Sequence, residues 1–145
     1  MTRIAQHVYI GNQRNADDLE ELYTTGITHV INCAPSRLRR ASRTESPYPP
    51  KSGVVGFKVI PAEDKEEYNI EKHFEEALEF LEQVKHGGGR ALVHCNMGVN
   101  RSGAIIAAYI MASERRCLLE VIKYLKSKRS LILTNKGFRR QLIRY

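Results

Sequence analysis

The part of the chain that most restricts its fold lies between residues 91 and 112. Ala91-Leu92-Val93 is short and continuously apolar, the composition of a strand covered on both faces. A loop containing Gly98 follows, and Ala104 to Ala112 is then apolar on nearly every side, as in a buried helix. A strand covered on both faces needs helices on both sides of its sheet. The remaining pattern agrees. Val8-Tyr9-Ile10, Ile27 to Cys33 and Phe57 to Ile60 read as strands, the first ending in a turn at Gly11-Asn12. Asn15 is expected to cap a helix through Leu19, Leu22 and Tyr23 that Gly26 closes. Asn69 is expected to cap another, with an apolar face of Ile70, Phe74, Ala77, Leu78, Leu81 and Val84 that stops at Gly87-Gly88-Gly89. Leu118, Leu119, Val121, Ile122 and Leu125 mark a further helix, and Phe138, Leu142 and Tyr145 the last. Strands alternating with helices predict one α/β domain over residues 1–145, without internal repeats.

Composition removes some alternatives. The three cysteines, Cys33, Cys95 and Cys117, are too few and odd in number for a disulfide framework, which suits a reducing compartment. Their spacing gives no zinc motif, and no metal or cofactor is expected. No apolar run approaches bilayer length, and residues 1–7 lack the apolar core of a secretory leader. A soluble intracellular protein, cytoplasmic or also nuclear, is expected. The net charge of +7 suits acidic partners but does not choose among phosphoproteins, phosphoinositides and nucleic acid. The basic residues from Lys123 to Arg144 lie at helical spacing among Leu and Phe, and read as a solvated helix face rather than a nucleic-acid surface. From Ala34 to Gly56 the periodicity breaks, with Arg37, Arg39, Arg40 and Arg43 crowding a proline-rich loop. A solvated basic loop is the reading adopted, and the basic pattern before Ser42 is too short to mark a phosphorylation site.

The chemistry sits in His94-Cys95-Asn96-Met97-Gly98-Val99-Asn100-Arg101-Ser102. Between a buried strand and a buried helix, the backbone N–H groups of such a loop converge and the helix dipole favours an anion. Gly98 permits the curvature that this requires. The amides of Asn96, Met97, Gly98, Val99 and Asn100 are thus expected to cradle a phosphate, with the planar fork of Arg101 matched to two of its oxygens. Cys95 opens the loop, where the same positive nest lowers a thiol's pKa and prepares it for in-line attack on phosphorus. Ser102 is placed to donate a hydrogen bond to the sulfur when it leaves. His94 is expected to order the loop rather than act as a base.

On these residues the sequence resembles the protein tyrosine phosphatase superfamily, marked by His-Cys, five residues, then Arg and Ser or Thr. It is most similar to the dual-specificity branch, which Val8-Tyr9-Ile10-Gly11-Asn12, His29-Val30-Ile31-Asn32, Leu92-Val93-His94-Cys95 and Asn135-Lys136-Gly137-Phe138 with Gln141-Leu142 all fit. The resemblance implies a central mixed, mainly parallel sheet flanked by helices, with the phosphate loop at its middle. It implies hydrolysis of phosphotyrosine and of phosphoserine or phosphothreonine on proteins through a cysteinyl-phosphate.

An acid is needed to protonate the departing oxygen. By residue type, Glu63, Asp64, Glu66 and Glu67 all qualify, and the resemblance selects Asp64. It also implies a supporting role for Asn135 and, as in some relatives, a reversible disulfide between Cys33 and the nucleophile. Cys117 is expected to pack. The chain has no tryptophan, so the Trp-Pro-Asp loop of the tyrosine-specific branch is absent, which favours a shallower cleft. Asn100 stands where Ser is commoner in this branch, and Thr134 where Pro often precedes the Asn. A phosphoinositide or RNA 5′-phosphate phosphatase is disfavoured by the uncharged Asn96, Met97, Val99 and Asn100, and a phosphate-binding pseudophosphatase by the retention of Cys95 and Arg101.

Overall fold

A computed structural model describes residues 1–35 and 45–145; Arg37, Arg39, Arg40, Arg43 and Ser42 lie outside the described residues. In chain order the elements are β1 (Thr2–Ala5), β2 (Val8–Gly11), α1 (Gln13–Asp17), α2 (Leu19–Thr25), β3 (His29–Asn32), β4 (Gly56–Val59), α3 (Phe74–His86), β5 (Ala91–His94), α4 (Arg101–Glu114), α5 (Leu118–Lys128) and α6 (Lys136–Arg144). Short 3-10 turns cover Pro50–Ser52 and Ile70–His73. The five strands are ordered β1-β2-β5-β3-β4. Among the described residues the β1–β2 pair is antiparallel and the other three pairs are parallel, so the sheet is mixed and mainly parallel, as expected.

β5 is the middle strand and every one of its residues is buried. Ile10 and Ile31 flank Val93 in register. Alternation along the strands sorts side chains onto two faces. Val8, Ile10, Ile31, Ala91 and Val93 join the larger core with residues of α3, α4, α5 and α6. Tyr9, Val30 and Leu92 point the other way, toward Ala16 of α1, Leu22 of α2 and Val54. Because β2, β5 and β3 run parallel, their C-terminal ends share one edge, where the loops of an open α/β sheet form a crevice.

Some elements differ from the sequence-based expectation. The first helix is two short ones. Asn12, not Asn15, caps α1: each accepts the other's backbone N–H, at 3.0 and 2.9 Å, in a reciprocal capping box. Asp18 caps α2 and Gly26 closes it at φ 80°. Asn69 caps nothing. The turn that follows it is 3-10, and α3 starts only at Phe74. The free N–H of Glu71 is satisfied instead by Gln141 Oε1 of α6, 2.9 Å away, so a tertiary partner replaces the local cap. β1 was not anticipated, since only Ile4 of its residues is buried and the strand forms a polar sheet edge. Cys117 is exposed, with its Sγ 3.4 Å from Glu120 Oε1, which corrects the expectation that it packs. Among the described residues, no helix is long and apolar enough to cross a membrane.

Leu81 on α3 is fully buried in the larger core. Leu81→Ala is expected to cost about 2–5 kcal/mol, read as a lower urea midpoint at an unchanged slope.

Candidate active site

The loop between β5 and α4 lies at the shared C-terminal edge of the parallel strands. It is tied down on several sides. Gln13 N–H at the start of α1 donates to Asn96 O at 3.2 Å, and Leu133 N–H donates to Val99 O at 2.9 Å. Gly98 has φ 68°, and a Cβ there would lie 2.7 Å from Gly11 O at the end of β2. Glycine is therefore required twice over, for the left-handed backbone and for the close approach.

Cys95 sits at the floor of this loop with 2% of its surface exposed. Burial alone would raise its pKa. Hydrogen bonding from the Ser102 side chain and from the backbone at Ser102, Val99 and Gly98 outweighs burial and holds the thiol below its usual range. Ser102 Oγ lies 3.2 Å from Cys95 Sγ. His94 is buried, and that burial pushes its pKa down to about 4 against opposing contributions from the Cys95 backbone and Asp17. A neutral, inaccessible ring does not fit proton transfer, and its buried Nδ1 has no partner among the described residues. Asn96 and Met97 are exposed, Met97 at 71%.

Arg101 is the first residue of α4. One of its terminal nitrogens donates to Ala62 O at 3.2 Å, while its buried Nε has no partner among the described residues. A buried, charged donor without a partner is costly unless an anion can meet it. Two residues beyond Ala62, Asp64 is brought to the same loop. Its Oδ2 accepts from Asn100 Nδ2 at 3.0 Å and its Oδ1 from Asn135 Nδ2 at 2.9 Å. Two of the neighbouring carboxylates have ion-pair partners: Glu66 pairs with Arg140 at 3.7 Å and Glu63 with Lys65 at 3.2 Å. Cys95, Arg101, Ser102, Asp64, Asn100 and Asn135 thus converge from distant parts of the chain.

Helix α6 forms the support of the segment carrying Asp64. Asn135 caps it by accepting the Phe138 N–H at 3.1 Å, so a single side chain both starts the helix and holds Asp64. A Cβ at Gly137 would overlap the backbone of Glu66. Gln141 Nε2 donates to Tyr68 O at 2.7 Å. Gly137 and Gln141 had no assigned role in the sequence, although both belong to the Asn-Lys-Gly-Phe and Gln-Leu signature read there. Cys33, also fully buried, follows β3 and donates its N–H to His94 O at 2.8 Å, one strand away from Cys95. Its thiol is pushed well up by burial and by the neighbouring Cys95, and drawn down somewhat by Arg101.

A sulfur whose pKa is lowered by side-chain and backbone donors, in a loop that ends at a guanidinium and is bonded to a carboxyl, has the groups that cysteine-based phosphate-ester chemistry requires. The family described as "Dual specificity phosphatase, catalytic domain" matches residues 8–145, and the chain belongs to that family. Dual specificity protein phosphatase 2 of Mus musculus is 35% identical over 140 residues, covering 97% of this chain and 41% of the mouse protein. The chain therefore spans about two fifths of that relative's length. The crystal structure of DUSP15 superposes with a TM-score of 0.87 at 31% identity, covering 99% of this chain and 85% of that one. The human tyrosine phosphatase-like serine/threonine/tyrosine-interacting protein gives 0.87 at 29% identity, covering 100% and 94%.

The hydrogen bonds on sulfur set a pH dependence. Alkylation of Cys95 by iodoacetamide needs the thiolate, so its rate falls as pH drops through the folded-state pKa. The midpoint is expected below the ordinary thiol value of 9.0, and Ser102→Ala, which removes one stabilising donor, is expected to move it upward.

Proposed function

We propose that this chain is a protein phosphatase catalytic domain that hydrolyses phosphotyrosine and phosphoserine or phosphothreonine. The observation that carries the reading is the nearly fully buried Cys95 Sγ, 3.2 Å from Ser102 Oγ, in a loop that ends at Arg101 and is bonded through Asn100 to Asp64. In the first step the Cys95 thiolate attacks phosphorus in line and the bond from phosphorus to the ester oxygen breaks. Asp64 gives its proton to that oxygen as it leaves. The amides of residues 96–100 and the Arg101 guanidinium hold the nonbridging oxygens as charge builds on them. In the second step water attacks the cysteinyl-phosphate and gives a proton to the Asp64 carboxylate. The S–P bond breaks, and Ser102 donates a hydrogen bond to the departing thiolate. His94 and Asn135 support this arrangement without touching substrate. The family membership and the uncharged side chains of Asn96, Met97, Val99 and Asn100 favour phosphoproteins over phosphoinositides or RNA 5′-phosphates. A thiolate nucleophile also favours a reducing intracellular setting.

The test is a substrate panel of phosphotyrosine and phosphothreonine peptides, a phosphoinositide and an RNA 5′-triphosphate. Peptide turnover should dominate, Cys95→Ser should reduce it to background, and Asp64→Ala should lower it by about 10²-fold or more. Preferred turnover of the lipid or RNA would reject the substrate assignment, and an active Cys95→Ser would reject the mechanism.

The same reading gives Cys33 a protective role. Peroxide converts the Cys95 thiolate to a sulfenic acid, releasing hydroxide. Attack by the Cys33 sulfur then forms the disulfide with loss of water, and a dithiol reductant restores both thiols. Loss of the negative charge on Cys95 removes one of the influences that raise the Cys33 pKa, which favours attack at that moment. After peroxide and then dithiothreitol, Cys33→Ser should recover less activity than the parent protein; equal recovery would remove the role.

A further inference from the structure

Asn100 occupies the N-cap position of α4, where an asparagine ordinarily accepts a backbone N–H from the first helical turn. It makes no such bond. Both ends of its amide are committed to other segments. Oδ1 accepts the backbone N–H of Asn135 at 2.9 Å and the Thr134 hydroxyl at 3.2 Å. Since a backbone N–H can only donate, this fixes which end of the amide faces residue 135, and Nδ2 is left to donate to Asp64. The same argument orients Asn135, whose Oδ1 accepts the Phe138 N–H while Nδ2 donates to the other Asp64 oxygen. Each oxygen of an otherwise exposed carboxyl therefore receives one amide donor of defined orientation.

The segment presenting Thr134 and Asn135 is itself held in an uncommon conformation. Leu133 has φ 54°, a left-handed backbone that a branched side chain occupies only when its surroundings over-determine it. Those surroundings are present: Leu133 is fully buried, its N–H donates to Val99 O, and its carbonyl accepts from Arg139 Nε at 2.6 Å. Helix capping has been forgone and backbone strain retained at the place where Asn100 meets residues 134 and 135.

We infer that the Asn100 side-chain amide is a positioning residue for the general acid, clasping Asp64 to the phosphate loop through Nδ2 while Thr134 and Asn135 anchor it through Oδ1. The inference rests on the assignment of Asp64 as the acid. Its physical content is preorganisation. A tethered carboxyl is already oriented when the ester oxygen departs, whereas a free aspartate on an exposed loop samples several rotamers. Asn100 touches neither the phosphorus nor the leaving group in this role.

The test compares two leaving groups. Phenol, which titrates near tyrosine's value of about 10, needs a proton as it leaves; para-nitrophenolate is a far better leaving group and needs it less. The readout is the ratio of kcat/KM for para-nitrophenyl phosphate to kcat/KM for phenyl phosphate, which reports the first step alone, in wild type, Asp64→Ala, Asn100→Ala, Asn100→Asp and the double variant Asp64→Ala/Asn100→Ala. Asn100→Ala should raise that ratio by about tenfold, part of the roughly 10²–10⁴-fold that a positioned acid supplies. Asn100→Asp keeps the acceptor oxygen for residues 134 and 135 but loses the donor to Asp64, so it should raise the ratio as well even if the alanine variant folds poorly. In the double variant the ratio should equal that of Asp64→Ala alone. An unchanged ratio in Asn100→Asp, or a further rise in the double variant, would overturn the positioning role while leaving Asp64 as the acid. An unchanged ratio in Asp64→Ala would instead reject the acid assignment, and the clasp with it.

Discussion

A buried sulfur whose pKa is nevertheless drawn below the ordinary thiol value is the constraint on which the rest of the molecule depends. Desolvation works against the Cys95 thiolate, and only donors brought within hydrogen-bonding reach reverse that balance. Three of them are backbone groups, and backbone groups converge only if the loop curves tightly and stays curved. Curvature requires Gly98 at positive φ, and persistence requires that the loop press against something rigid. That is the end of β2, close enough at Gly11 to exclude any side chain on Gly98. The place of β5 at the centre of the sheet follows, because only a strand paired on both sides carries its loop between two other strand ends.

The carboxyl poses a different problem. Asp64 lies on a segment without regular structure and is exposed, so nothing local fixes it. The protein holds that segment from a distant part of the chain. Asn135 caps α6 and grips Asp64, Gly137 lets the helix backbone approach Glu66, and Gln141 bonds both Tyr68 O and Glu71 N. Arg101 closes the loop from the other side through Ala62 O. The last helix therefore does more than cover the core with Phe138 and Leu142: its first turn is the bracket for the segment that carries Asp64.

What could be read from the amino-acid order, and what could not, divides along the range of the interactions. Apolar runs such as Ala91-Leu92-Val93 report burial directly, so β5, its neighbours and the buried α4 were legible. So was the Cys95–Arg101 spacing, because one short loop contains it. Asn69 was misread as a cap because the partner of the Glu71 N–H is Gln141, from another helix. Asn15 was preferred to Asn12 because both are good capping residues and only their mutual geometry ranks them. β1 escaped notice because an edge strand with a single buried residue has no apolar alternation to display. The choice of Asp64 over its glutamate neighbours came from family resemblance, not from residue type. In the structure two side-chain amides, those of Asn100 and Asn135, meet Asp64.

The two departures from the branch pattern, Asn100 and Thr134, turn out to be one feature. Each taken alone looks like a neutral change on a loop. A serine at position 100 would offer one short hydroxyl to several surrounding groups, whereas the amide separates donor from acceptor and reaches two segments at once. The longer side chain then presents an acceptor oxygen with capacity for two donors. The Asn135 N–H supplies one, and the Thr134 hydroxyl, which a proline there would lack, supplies the other. With both donors in place, Oδ1 is fully used and the amide has a single orientation, the one in which Nδ2 faces Asp64. The backbone N–H of Asn135 sets that orientation because it can only donate, and the Thr134 hydroxyl adds a second contact that holds Oδ1 in place.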